Sequence, residues 1–311
     1  MKVSLVATVK DAGPHVRAFL SSVEAQTRMP DEVVIVDGGS TDGTADILRD
    51  AGGITLIEEP GSNIARGRNV AIRAAAHDVV AVSDADCVLA PSWLQLIVAP
   101  VERGADVSMG AYRALTGSFF EACAAAISIK EPEEIDPASY LPSARSVAFR
   151  REAFERGGGY PEWLDIGEDM YLNHRWRQLG LRMDLAGDAV VYRRPRASLG
   201  AYWRQFFRYA EGDARGGMHR PRHALRFAVY GALAVALGSG GRPPKLLAAM
   251  GGAMYAARPV RRALRLLPPG RSRLAAVAAV PVLMAITDAA KMTGYLSGLA
   301  RRAGDRGTEV E

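Results

Sequence analysis

Two short apolar runs, each closing on a carboxylate, constrain this chain more than any other feature. Glu32–Asp37 reads EVVIVD, and residues 79–83 read VVAVS and run straight into Asp84-Ala85-Asp86. Runs this apolar suit strands buried on both faces, as in a mostly parallel sheet covered by helices. The neighbouring pattern alternates in the same way. Residues 2–9 are strand-like, and Gly13-Pro14 opens a helix with Val16, Phe19, Leu20 and Val23 at helical spacing. Residues 54–57 predict a strand and 64–76 a helix, and Pro91 starts a helix carrying Trp93, Leu94, Ile97 and Val101. The predicted architecture is a Rossmann-type α/β fold, in which ligands collect beyond the carboxyl ends of the strands. Asp37, Asp84 and Asp86 are all expected there.

The chain has 311 residues, 49% of them apolar, enough for one large core and a smaller appendage, and not the composition of a disordered or fibrous chain. Cys87 and Cys123 are its only cysteines, too few for a disulfide framework or a four-thiolate zinc site. Charge is divided unevenly. Residues 1–192 carry a net −10 and residues 193–306 a net +17. A basic half interleaved with apolar runs calls for an anionic partner. The first strand is too short and polar for a signal peptide and is followed at once by Lys10-Asp11, so a cytoplasmic location is expected.

Beyond the alternating half, residues 131–142 form an acidic, proline-bearing loop, 146–149 suggest an edge strand, and 189–192 a last strand. A helix is expected around 201–211. The tail holds three uncharged apolar stretches, 227–241, 246–257 and 274–287. Each is shorter than the roughly 17–25 residues of a spanning helix. With Arg258, Arg261, Arg262, Arg265, Arg271 and Arg273 around them, they fit interfacial or re-entrant segments on an anionic leaflet. A soluble helical subdomain with solvated arginine faces is the competing reading. Two domains are expected, residues 1–215 and 216–311.

Several side chains point to chemistry. Asp37, followed by Gly38-Gly39-Ser40-Thr41-Asp42-Gly43-Thr44, can accept hydrogen bonds from a base or a ribose; the alternative is a capping turn built by Ser40, Thr41 or Asp42. Asp84 and Asp86 end a buried strand as a pair, which suits Mg²⁺ or Mn²⁺ bridging to a diphosphate; two solvated loop acids are the alternative. Neither a GxxxxGK[ST] loop nor a GxGxxG turn is present, so phosphates would be held by metal and by Arg66, Arg68, Arg193 or Arg194. Glu168-Asp169 can supply a general base, or simply place acids in a first helical turn. Gln205, Arg208 and Tyr209 fall on nearly one helical face.

In this order, VDGGSTDGT, SDADC, IGEDMYL and QFFRY resemble the motifs of the family 2 glycosyltransferases, over residues 1–215. Gln26-Thr27, Arg68-Asn69 and Gly158-Gly159-Tyr160-Pro161-Glu162 add to the likeness. The resemblance implies a GT-A fold, a nucleotide-diphosphate-sugar donor, a divalent metal, and inversion at the anomeric carbon. It implies donor binding by Thr8, Asp11, Asp37, Arg66, Arg68, Asp84 and Ala85, and metal ligation by Asp86 with Asp84. Asp169 would be the base. Glu168, Arg194, Gln205, Arg208 and Tyr209 would serve the acceptor or diphosphate side. Where many relatives place a metal-binding histidine, this chain has Tyr192-Arg193-Arg194, and where processive synthases carry tryptophan it has Tyr209. The expected reaction transfers a sugar to a glycan or lipid-linked hydroxyl at the cytoplasmic face of an anionic membrane, and nucleic acid is not an expected partner. Two other classes compete. A sugar nucleotidyltransferase would release pyrophosphate and would carry a basic glycine-rich loop after the first strand, unlike Lys10–Pro14. A non-catalytic membrane-surface glycan or nucleotide binder would need only the tail.

Overall fold

In a computed structural model of the chain, residues 1–239 and 241–308 are described; the last three residues of the expected second domain, 309–311, lie outside them. The chain divides into two compact units, Met1–Arg113 with Lys130–Arg193, and Ala114–Ile129 with the residues from Arg194 onward.

The first unit is built on eight strands: β1 (Val3–Val9), β2 (Glu32–Asp37), β3 (Thr55–Glu58), β4 (Val79–Asp84), β5 (Val88–Leu89), β6 (Val107–Ala114), β7 (Val147–Arg150) and β8 (Met183–Arg193). Their order is β3-β2-β1-β4-β7-β6-β8-β5. The half predicted from the apolar runs is parallel: β1 pairs with β2 and β4, and β2 with β3. Beyond β4 the pairings β4–β7, β7–β6 and β8–β5 are antiparallel, so the sheet is mixed. β7, expected at an edge, is interior; its Val147, Ala148 and Phe149 are buried between β4 and β6.

The buried strands alternate between two cores. Leu5, Ala7, Ile35 and Ala81 face Phe19 of α1 (Pro14–Glu24) and Trp93, Leu94 and Ile97 of α4 (Trp93–Glu102). Val6, Val34, Val36, Val80 and Val82 pack with Ala65 and Ile72 of α3 (Ile64–Ala74), Phe154 of α6 (Arg151–Gly157), and Leu172 and Trp176 of α7 (Glu168–Gln178). The short α2 (Thr44–Asp50) also belongs to this unit. Gln26, part of the family likeness, is structural: its Nε2 donates to the carbonyls of Ser22 and Ala90 at 2.9 and 2.8 Å, and its Oε1 accepts from Leu94 N–H at 2.9 Å.

The second unit is helical: α5 (Phe119–Ser128), α8 (Leu199–Arg215), α9 (Arg220–Gly238), α10 (Arg242–Leu266) and α11 (Arg273–Thr308). It begins at Arg194 and takes in 114–129, rather than starting at 216, because Tyr202 and Phe206 of α8 share one core with Cys123 and Ala126 of α5 and Val280 and Leu283 of α11. α8 and α11 touch backbone to backbone: a Cβ on Gly294 or Gly298 would strike the carbonyls of Phe207 and Glu211. α11 joins the apolar stretch 274–287 to residues 288–308 in one continuous helix. Its segment Arg273–Ala303 is long and apolar enough to cross a membrane by length and composition, which the separate stretches were not. Ala276, Val280, Leu283, Met284 and Ala290 are buried in the unit's core, while Leu274, Val282 and Leu296 on the same helix are more than half exposed.

Candidate active site

The ends of β1, β2 and β4 are level. Val9 lies opposite Asp37, and Thr8 opposite both Val36 and Asp84. Asp37 and Asp84 therefore flank β1, two strand spacings or about 10 Å apart. Asp37 is 2% exposed, and its carboxylate accepts from the Ser40 hydroxyl at 2.5 Å and the Ser40 N–H at 3.0 Å. The turn after it approaches Pro60 closely; Gly39 has φ +87°, and a Cβ there would sit 3.2 Å from Pro60 Cα. Much of this motif holds itself in shape. Asp42 accepts from the Thr44 N–H and hydroxyl, the Thr44 hydroxyl accepts from Ala12 and Gly13 N–H, and Asp11 accepts from Thr41 N–H at 2.8 Å. The turn reading thus accounts for Ser40, Thr41, Asp42 and Asp11, and includes Asp37, the last residue of β2, as the acceptor of both Ser40 bonds.

A buried ion-pair bridge starts at Asp84. Arg68 on α3 is 2% exposed; its Nη2 donates to Asp84 at 2.6 Å and its Nη1 to Glu168. Arg145 Nε meets the other Asp84 oxygen at 3.1 Å. Arg68 lies over the Tyr160 ring, 5.5 Å from its centre, and its buried Nε has no hydrogen-bond partner. The adjacent Asn69 fixes that ring's backbone, with Nδ2 donating to Tyr160 O at 2.8 Å and Oδ1 accepting Tyr160 N–H at 3.0 Å. Burial pushes the Asp84 carboxyl upward, but the guanidinium groups of Arg68 and Arg145 outweigh it and hold it below the ordinary carboxylate range. Glu168 goes the other way. Burial, then the neighbouring Asp169 charge, raise it to about 7, because it has only a share of Arg68 to oppose them.

With both Asp84 oxygens committed to arginine, Asp86 is the exposed carboxylate of the pair; its Oδ1 accepts from the Cys87 thiol at 3.3 Å, and no arginine pairs with it among the described residues. Ala85 between them is buried, its N–H directed to Thr8 O at 3.4 Å. β5 pairs Val88 with Tyr192, which brings the end of β8 beside this turn, and Arg193 there also lowers the Asp84 carboxyl. Among the described residues no group of three or more His, Cys, Asp or Glu is placed to hold a metal ion. The donor set fits a cation held by Asp86 and otherwise by phosphate oxygens of a bound donor, not a closed protein cage. Arg66, two residues from Arg68, is exposed and paired with Glu59 at 2.5 Å.

Asp169 sits in the first turn of α7, half-buried, accepting from Met170 N–H at 2.7 Å and Ala144 N–H at 3.3 Å. α7 also holds the acidic loop: Asn173 donates to Pro142 O at 2.6 Å and Arg177 to Tyr140 O at 2.8 Å. The bridge through Arg68 thus joins the end of β4 to the start of α7. Sequence reading missed Arg145, which lies in no motif, and assigned no role to Tyr160, noted only within a glycine turn. Arg194, Gln205, Arg208 and Tyr209 belong to the second unit. There Gln205 Nε2 donates to the Tyr209 hydroxyl at 3.0 Å, Tyr209 packs edge-on against Phe206, and Arg194 and Arg208 are exposed.

Residues 4–156 match the profile described as Glycosyl transferase family 2. Those residues, just under half of the chain, form a family 2 glycosyltransferase domain. This family 2 glycosyltransferase is 26% identical over 206 residues to the O-antigen chain rhamnosyltransferase RfbN of Salmonella typhimurium, covering 61% of this chain and 66% of that protein. It is 28% identical over 228 residues to the succinoglycan biosynthesis protein ExoA of Rhizobium meliloti, covering 68% and 69%. Among solved structures it is similar to the mannosyltransferase PcManGT of Pyrobaculum calidifontis, in complex with GDP-Man and Mn²⁺, with a TM-score of 0.54 and 23% identity over 98% of this chain and 87% of that one. That likeness agrees with a GT-A-like mixed sheet flanked by helices.

Proposed function

We propose that this family 2 glycosyltransferase moves a sugar from a nucleotide-diphosphate-sugar to a hydroxyl of a glycan or lipid-linked acceptor, with inversion at the anomeric carbon. The observation that carries the reading is the buried Asp84–Arg68–Glu168 bridge, which ties the strand-end carboxylates to the helix turn bearing Asp169. Asp37 takes the base or ribose, and Thr8, Asp11, Ala85 and Asp84 line the donor edge. Asp86 is the residue that would hold a divalent cation, Mg²⁺ or Mn²⁺, which when bound supplies positive charge to the diphosphate. Arg193, with Arg66 and Arg194, adds positive charge for the departing nucleoside diphosphate. Asp169 removes the proton of the acceptor hydroxyl. The acceptor oxygen then forms its bond to the anomeric carbon from the face opposite the diphosphate, as the bond from that carbon to the phosphate oxygen breaks. The displacement is direct, so no covalent enzyme intermediate is required, and Asp169 passes the proton to water once the products leave. Glu168 supports acceptor binding.

The names of the O-antigen and succinoglycan relatives support an envelope-glycan acceptor, and the basic tail supports work at the cytoplasmic face of an anionic membrane. A thermal-shift panel of nucleoside diphosphates with and without Mn²⁺ identifies the donor base. With the matched donor and acceptor, Asp169→Asn is expected to lower kcat by roughly 10²–10⁴ while leaving the nucleotide-induced shift intact. Transfer at the wild-type rate would remove Asp169 as base.

A further inference from the structure

In the second unit, α9 and α10 arrange polar and apolar residues the opposite way from a helix that packs in water. α9 turns Leu225, Val229 and Val235 outward, and α10 does the same with Leu246, Met250 and Met254; each is at least 53% exposed. The inner side of α9 is polar. His223 is 2% exposed and meets Asp213 at 3.0 Å, while Arg226 Nε donates to the buried Asp288 of α11 at 2.7 Å. The same Asp288 carboxylate accepts from the hydroxyls of Tyr230 on α9 and Tyr255 on α10, at 3.0 and 3.3 Å. One carboxylate therefore ties three helices whose outer faces carry the apolar side chains. Apolar faces of this extent are costly in water, whereas an apolar surround favours ionisable groups that face inward and pair.

The charges around these faces select the surround. From residue 214 to 287 there is no acidic residue. The uncharged part of α9, 227–238, lies between Arg226 and Arg242, and that of α10, 246–257, between Lys245 and Arg258. Each run is twelve residues, a length of about 18 Å in a helix, against a hydrocarbon core of about 30 Å. Neither run crosses a bilayer, and a hairpin pushed in tip first would drag Arg242 and Lys245 into hydrocarbon. Helices lying flat keep every basic end at the headgroups.

We propose that α9 and α10 lie in the plane of an anionic leaflet, with their outer apolar stripes in the acyl boundary and Arg258, Arg261 and Arg265 on lipid phosphates. This rests on, and deepens, the membrane-surface partner of the proposed function. The test is co-sedimentation of the full chain with vesicles of phosphatidylcholine, pure or with one-third phosphatidylglycerol. Binding to the anionic vesicles is expected to be roughly tenfold or more stronger and to weaken with salt. The triple variant L246S/M250S/M254S is expected to lose binding roughly tenfold or more at every salt concentration, with helix content by circular dichroism unchanged. R258Q/R261Q/R265Q is expected to lose only the preference for anionic lipid. Absence of wild-type binding, or wild-type binding by the serine variant, overturns the proposal. So does light scattering that shows a wild-type dimer and a monomeric serine variant, since a second copy would then cover these faces. The nucleotide thermal shift is read in parallel: vesicle binding without it leaves the membrane seat standing and fails the donor reading.

Discussion

Both units of this glycosyltransferase bury charge, but they do so for different surroundings. In the sheet unit, buried charge is confined to one edge: Asp37, Asp84, Arg68 and Glu168 gather at strand ends and a helix start, over an apolar interior. In the helical unit, Asp288, Arg226 and His223 lie inward while Leu225 of α9 and Leu246, Met250 and Met254 of α10 lie outward. The first arrangement sets two neighbouring carboxyls apart, holding Asp84 low and raising Glu168. The second suits helices with an apolar medium on their outer side. A buried ion pair is therefore not one kind of feature; its meaning depends on which groups its surroundings expose.

The comparison can be sharpened by removing charge from each unit in turn. Arg68→Met leaves two buried carboxylates without their shared partner and is expected to destabilise the sheet unit by about 3–5 kcal/mol, read by denaturant unfolding. A loss below about 1 kcal/mol would mean that Arg145 alone satisfies Asp84. Asp288→Asn keeps shape but removes the charge that Arg226 and two tyrosines share; about 2 kcal/mol of loss is expected in detergent or vesicles, by the same measurement.

The next effect is a dependence on pH. Glu168 is raised from 4.5 to about 7 in the folded state, so between those values the folded chain holds more protons than the unfolded one. Stability from this group is therefore full below about 4.5 and declines as pH rises toward 7. Glu168→Gln should remove that decline, seen as a melting temperature that no longer falls across the window relative to wild type; parallel curves would rule it out. The smallest change belongs to Arg66→Ala. Its pair with Glu59 is solvent-exposed, two residues from Arg68 on the same helix, so denaturant unfolding of the variant should superimpose on that of the wild type.

Much of the site was legible before the fold. EVVIVD and VVAVSDAD announce strands that end on carboxylates, because a fully apolar run and a polar stop are both local properties. The glycine turn after Asp37 was legible for the same reason. The antiparallel half of the sheet was not: β6 was missed, β7 was placed at an edge, and α5 went unnoticed, since a short run such as VAFR or an alanine-rich one such as FFEACAAAIS has no pattern that names its neighbour.

The sequence by itself determined where the strand-end acids fall, which helices carry Arg68 and Asp169, and that the tail is basic and apolar by turns. Periodicity and turn chemistry act over a few residues, so they can be read along the chain. Only the tertiary structure decided that Arg68 would bridge Asp84 and Glu168, sixteen and a hundred positions away. It also decided that Arg145 would close on the same carboxylate while Asp86 stays exposed, and that α9 would turn Leu225 out. Those outcomes depend on which surfaces meet once the cores close, and no local stretch of sequence contains that information.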